Sequence, residues 1–181
     1  MSELFSIQLQ NRQQQGRDGV WLDLPTTTEQ VQAALRQIGI SSDNPQGLFI
    51  SGYFAEEEKR FAIPYNMVLA SNVDELNFLA SRLETLSTGE RAELNAALQA
   101  PQSELSSIGR ITDFPENVDY YVHLPDVRGP AQLGDYYLNR SGMVDMPEEW
   151  KGGIDTAQFG RYVAQQEQGV FTEYGYLVKS G

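Results

Sequence analysis

The chain has no cysteine, which excludes disulfides, thiol nucleophiles and cysteine-based zinc sites. It has one histidine, His123, so a base-assisted nucleophile has a single imidazole available. No apolar run approaches the ~20 residues of a membrane span, and no charged-then-apolar leader opens the sequence. The expectation is a cytoplasmic protein without a membrane segment. Gly-x-x-x-x-Gly-Lys-Ser/Thr, Gly-x-Gly-x-x-Gly, Gly-x-Ser-x-Gly and Asp-x-Asp-x-Asp-Gly are all missing, so nucleotide, serine-elbow and calcium-loop chemistry have no local support. No cofactor and no metal are expected.

Positive charge is also scarce. Thirteen Lys and Arg stand against 25 Asp and Glu, a net charge of -12. A chain this acidic is a poor direct ligand for nucleic acid, because binding phosphates requires a basic footprint. The excess is uneven along the sequence. Residues 1–70 hold eight acids and five bases, residues 71–155 fifteen and six, and residues 156–181 two and two. The acidity is expected in the middle and later part; its ordinary meaning is solubility.

At 181 residues and 40% hydrophobic, with apolar residues throughout, the chain can bury a real core. Leu4-Phe5-Ser6-Ile7-Gln8-Leu9 and Val20-Trp21-Leu22-Asp23-Leu24 alternate as half-buried strands and predict a hairpin with a long loop. Thr26-Thr27-Thr28-Glu29 has the form of a capping box, and Val31, Ala34, Leu35 and Ile38 give a helical stripe that Gly39 ends. Leu48-Phe49-Ile50 and Phe61-Ala62-Ile63 predict two short strands around an acidic turn, Glu56-Glu57-Glu58.

From Asn72 the period becomes helical. Asn72 to Glu75 and Ser87 to Glu90 are two more capping signals, followed by the stripes Leu76, Leu79, Ala80, Leu83 and Leu94, Ala97, Leu98; Ser103 to Ile108 allows a further short helix. Val118, Tyr120, Val122 and Leu124 then alternate as a strand. Pro130 to Asn139 reads as helical, Asp155 caps a helix carrying Phe159, Tyr162 and Val163 that Gly169 ends, and Val170 to Val178 closes as a strand. The expected architecture is α+β, elongated, with three small domains: a mixed N-terminal domain over 1–68, a helical middle over 69–109 and a mixed C-terminal domain over 110–181.

Catalytic candidates are thin. His123 lies within a predicted strand, where a lone histidine is usually structural. Glu148-Glu149 beside Trp150 could serve a glycosidase-like site, tested by turnover of a glycan panel and its loss on Glu148→Gln, but an exposed turn with Trp150 packed in a core is the plainer reading. Tyr120, Tyr121, Tyr136, Tyr137, Tyr162, Tyr174 and Tyr176 crowd the last third, suited either to core packing or to an interface.

Wording within the chain carries further information. Ile154-Asp155, then Gln158-Phe159-Gly160-Arg161, then Gly169-Val170-Phe171-Thr172-Glu173-Tyr174-Gly175-Tyr176 resembles the closing segment of the ArdA antirestriction family. Gly19 to Pro25 resembles that family's early Trp-x-Asp-Leu strand, Asp74 to Ala80 its helix start, and Leu133-Gly134-Asp135-Tyr136-Tyr137 its Leu-Gly-x-Tyr element. The resemblance implies a three-domain protein, commonly a homodimer, encoded on mobile elements, that is not an enzyme. Its surface carboxylates would imitate DNA phosphates and occupy the DNA-binding groove of a type I restriction-modification enzyme. The carboxylates in the region of densest acid excess are the candidates: Asp113, Glu116, Asp119, Asp126, Asp135, Asp145, Glu148, Glu149 and Asp155. The alternative is an acidic interaction module for a partner unrelated to DNA, using tyrosine-rich surface; such a contact should respond little to salt.

Overall fold

A computed structural model describes residues 3–14, 18–101, 103–117 and 121–179, without the side chain of Asn117. It is a mixed α+β fold with two three-stranded antiparallel sheets. The described residues group into two compact units, Met1–Leu86 with Leu105–Asp113, and Ser87–Glu104 with Phe114–Gly181.

In the first unit β1 (Phe5–Asn11) is central, paired antiparallel with β2 (Val20–Leu24) on one side and β3 (Leu48–Phe54) on the other. The alternation read from the sequence holds: Phe5, Ile7 and Leu9 are buried, Ser6 and Gln8 face outward. Helix α1 (Thr28–Gln37) follows, buried through Val31 and Ala34. Its cap is Thr27 rather than Thr26, with the Thr27 hydroxyl accepting from Gln30 N. The Thr26 amide is already engaged, donating to Asn77 Oδ1 at 2.8 Å while Asn77 Nδ2 donates to Thr26 O at 3.0 Å. Gly39, at φ +75°, takes the left-handed conformation after this helix.

Helix α3 (Val73–Leu83) begins as expected on Asn72, which accepts from Glu75 N at 2.9 Å. Leu76, Leu79, Ala80 and Leu83 are fully buried, and burying each leucine is worth about 2 kcal/mol. Short helices α2 (Tyr65–Leu69) and α5 (Ile108–Thr112) complete the unit.

In the second unit β6 (Gly175–Lys179) is central, between β4 (Tyr121–Leu124) and β5 (Val170–Thr172), all antiparallel. Helix α4 (Thr88–Gln99) opens on a full reciprocal capping box between Ser87 and Glu90. Helix α6 (Phe114–Asn117) leads towards β4, with the Phe114 ring 5.6 Å from that of Tyr121. Helix α7 (Pro130–Asp135) runs into a π-type turn over Tyr136–Arg140 and packs against α9 (Thr156–Glu167). Two glycines make that packing possible. A Cβ on Gly134 would come 1.9 Å from Thr156 O, and one on Gly160 would come 1.7 Å from Pro130 O. Only backbone without side chain fits where the two helices touch.

Several expectations are corrected. Phe61–Ile63 lies outside any strand: Phe61 and Ile63 are buried, but Pro64 follows at once and starts α2. The helix expected at Ser103 to Ile108 instead begins at Ile108, capped by the Ser107 hydroxyl. Val170 to Val178 is a hairpin, not one strand; Thr172 Oγ1 donates to Gly175 O and accepts from Tyr174 N, closing the turn. Gly169 does not supply the left-handed residue that ends α9. Gln168 does, at φ 59°, and Gly169 instead clears space for the Tyr176 ring, whose hydroxyl would lie 1.9 Å from a Cβ there. The buried line of α9 is Gly160 and Ala164; Tyr162 is exposed. Val118 and Tyr120 of the expected strand lie outside the described residues.

Candidate functional site

Eight of the nine candidate carboxylates are described, and all eight are exposed; Asp119 lies outside the described residues. Asp113 follows α5 in the first unit, and the other seven belong to the second. Their settings differ in how much negative charge they leave for a partner. Glu148 sits on the short helix α8 (Glu148–Lys151), where Lys151 Nζ donates to its Oε1 at 3.0 Å, so half of that ion pair is already internal. Asp155 accepts from Ala157 N and Gln158 N through Oδ1, both at 3.1 Å, and so serves as the N-cap of α9. Asp126 and Asp135 line one shallow depression with Ala131, Gln132 and Arg140. Asn139 Nδ2 donates to Asp135 Oδ1 at 2.8 Å and holds that carboxylate in place. Asp145 is exposed on an irregular stretch, Glu149 on α8 and Glu116 on α6.

The fold also redistributes the charge. Because α3 and α5 pack into the first unit, Asp74, Glu75, Glu84 and Asp113 join it. By sequence it then holds twelve acids and seven bases, the second unit thirteen and six. The concentration seen along the sequence is therefore milder in the folded chain. Each unit carries a net negative charge.

A carboxyl pair that the sequence reading passed over lies at the start of the first unit. Ser6 Oγ donates to Asp23 Oδ1 at 2.6 Å, which lowers the Asp23 carboxyl, with a further contribution from Glu3. Glu3 is raised, first by its hydrogen bond to Asp23 and then by that group's charge. Both line an open groove with Trp21, Thr26, Thr27, Gln30 and Lys59. Sequence spacing gave no signal, because β1–β2 pairing brings residues 3 and 23 together.

The catalytic readings find little support in the geometry. His123 Nε2 lies 2.8 Å from Tyr174 O; a carbonyl can only accept, so Nε2 carries the proton and ties β4 to the β5–β6 turn. Glu148 and Glu149 are consecutive on a helical turn and diverge by about 100°, so they do not converge on one substrate. Trp150 is not packed in a core; it is 66% exposed. The tyrosines mostly pack inward: Tyr176 is fully buried, and Tyr136 and Tyr137 border the cluster of Val127, Leu133 and Ala164. Tyr137 and Tyr176 both donate to the carboxylate of Glu167, Tyr176 at 2.7 Å to Oε2. Burial and then that hydrogen bond push both phenols well above the ordinary tyrosine value. Tyr162, at the surface of α9, is exposed.

What remains is an exposed acidic surface on a scaffold whose local wording has a counterpart elsewhere. The model of a family described as antirestriction protein (ArdA) matches residues 15–178. The chain belongs to the ArdA family. Membership assigns it an antirestriction function, with a restriction enzyme as its general partner, and ArdA proteins are inhibitors rather than a known enzyme family. No curated protein matches the chain significantly. Within this ArdA chain, the motifs that carry the family likeness are largely packing residues: Gly134 and Gly160 at the α7–α9 contact, Gly169 under Tyr176, and Trp21 with its ring edge against Gly52. Among the described residues no helix is long and apolar enough to cross a membrane.

Proposed function

We propose that this chain is a DNA mimic that inhibits a type I restriction-modification enzyme by occupying its DNA-binding groove. The observation that carries the reading is that every described candidate carboxylate is solvent-exposed in a chain of net charge -12. Duplex DNA presents one charge per ~1.7 Å of axis, and a groove that gains affinity by releasing counterions will also accept carboxylates held in fixed positions. A folded scaffold loses less entropy on docking than a flexible acidic tail would. Asp126, Asp135, Asp145 and Glu149 lead the set, because Glu148 is paired with Lys151 and Asp155 with its helix amides. A homodimer of such chains would double the length of duplex imitated.

The decisive experiment is competition. Labelled duplex carrying the recognition site is bound to a purified type I enzyme, and the protein is titrated in at two salt concentrations. Displacement that weakens at higher salt is expected, and Asp126→Asn, Asp135→Asn, Asp145→Asn and Glu149→Gln together should reduce it at least tenfold. Displacement unaffected by that quadruple change would remove these carboxylates from the site. Absence of displacement from several type I enzymes would end the mimic reading.

A further inference from the structure

Tryptophan is the aromatic side chain that most rewards burial, yet both tryptophans of this chain are at least half exposed. Trp21, at 50%, has an evident structural role, its ring edge reaching across Gln8 to lie against Gly52 of β3. Trp150 is 66% exposed. It is nevertheless well held. Trp150 N donates to Pro147 O at 3.0 Å, Gly153 N to Trp150 O at 3.1 Å, and Ile154 N to Lys151 O at 3.1 Å, after which Asp155 starts α9. The indole is presented on hydrogen-bonded turns rather than on a loose loop.

The neighbourhood is acidic, with Asp145, Glu148, Glu149 and Asp155 within five residues on either side. The one nearby cation in sequence, Lys151, is engaged by Glu148. Elsewhere the chain places its own guanidinium over aromatic rings: Arg12 over Phe49 at 4.8 Å, Arg82 over Phe78 at 5.8 Å and Arg140 over Tyr136 at 5.5 Å. Trp150 offers the strongest cation-binding face of the aromatic side chains, and none of these guanidinium groups lies over it.

We propose that the indole of Trp150 seats a lysine or arginine side chain from the DNA-binding groove of the restriction enzyme, with the surrounding carboxylates drawing that cation in. The inference rests on the DNA-mimic reading and deepens it, naming a contact that duplex DNA itself does not make. Charge complementarity selects the occupant: a basic groove supplies cations, whereas a second copy of this acidic chain would bring carboxylates against carboxylates. An aromatic seat also gives the complex a component that resists salt better than phosphate-like contacts do.

The test uses the full chain in the duplex-displacement assay at low and high salt, comparing the wild type with Trp150→Ala, Trp150→Phe, Trp150→Leu and the pair Asp145→Asn, Glu149→Gln. Trp150→Ala and Trp150→Leu should each weaken displacement about tenfold at both salts, and Trp150→Phe should retain most of it. The carboxylate pair should lose most at low salt. Circular dichroism should show all variants folded, since the ring is exposed. If the wild type and the carboxylate pair behave as the mimic reading requires while Trp150→Ala displaces duplex as well as the wild type, the aromatic seat is refuted and mimicry survives. Trp150→Leu matching the wild type would also refute it, as would a change of oligomeric state on light scattering that accounts for the loss. If the wild type displaces no duplex, both readings fall together.

Discussion

The two units use the same sheet plan, three antiparallel strands with the middle one shared, but lock it differently. The first is closed by amide side chains. Asn11, buried at the end of β1, donates to Ile38 O at 2.8 Å and accepts from Gln13 N at 3.0 Å, so one side chain joins the strand end to the end of α1. Asn77 clamps both backbone groups of Thr26 in the same way. The second unit is closed by glycines, with Gly134 and Gly160 letting α7 and α9 touch backbone to backbone and Gly169 admitting the Tyr176 ring. An amide joint fails by leaving polar groups without partners. A glycine joint fails by forcing elements apart.

That contrast sets the order of expected effects. Gly160→Val should be the most damaging, costing about 3 kcal/mol or more in urea unfolding, because the helices must separate to admit any side chain. Retention of wild-type stability would mean that α7 and α9 do not meet as described. Asn11→Leu should cost about 2 kcal/mol by stranding the Ile38 carbonyl and the Gln13 amide, with the loss read in the same unfolding series.

Tyr176→Phe should cost about 1 kcal/mol through the hydrogen bond to Glu167, and its effect extends to alkaline pH. The folded Tyr137 and Tyr176 phenols are raised above the ordinary value of 10.0, so the unfolded chain releases their protons first. Their stabilisation is complete below pH 10 and declines as pH rises beyond it. Tyr53 in the first unit is pushed up to about 12 by burial, opposed by Arg60, and acts in the same direction between those two values. Melting temperatures from pH 9 to 12 should therefore fall for the wild type, and less steeply for Tyr176→Phe; equal slopes would count against the Glu167 cluster. Ser87→Ala, which opens only the surface capping box of α4, should be the mildest, at about 0.5 kcal/mol by thermal unfolding.

Features legible in the sequence were those whose physics is local. The alternation of β1 and β2, the caps at Asn72, Ser87 and Asp155, and the stripe from Leu76 to Leu83 each depend on residues within one or two turns of chain, and all appear in the fold. The shift from Thr26 to Thr27 shows where local reading stops: a side chain 51 residues away had taken the Thr26 amide. Phe61–Ile63 shows the same limit, since apolar residues can be buried outside any strand.

For the candidate site, net charge and the motif order that points to ArdA are properties of the sequence alone, because both are read by position without regard to neighbours. Only the tertiary structure decided that Glu148 is engaged by Lys151, Asp135 by Asn139 and Asp155 by the amides of its helix. It also decided that the motif glycines serve contact between backbones and that Trp150 is left in solvent. Those outcomes depend on what lies opposite each residue in space, and sequence spacing carries no record of that.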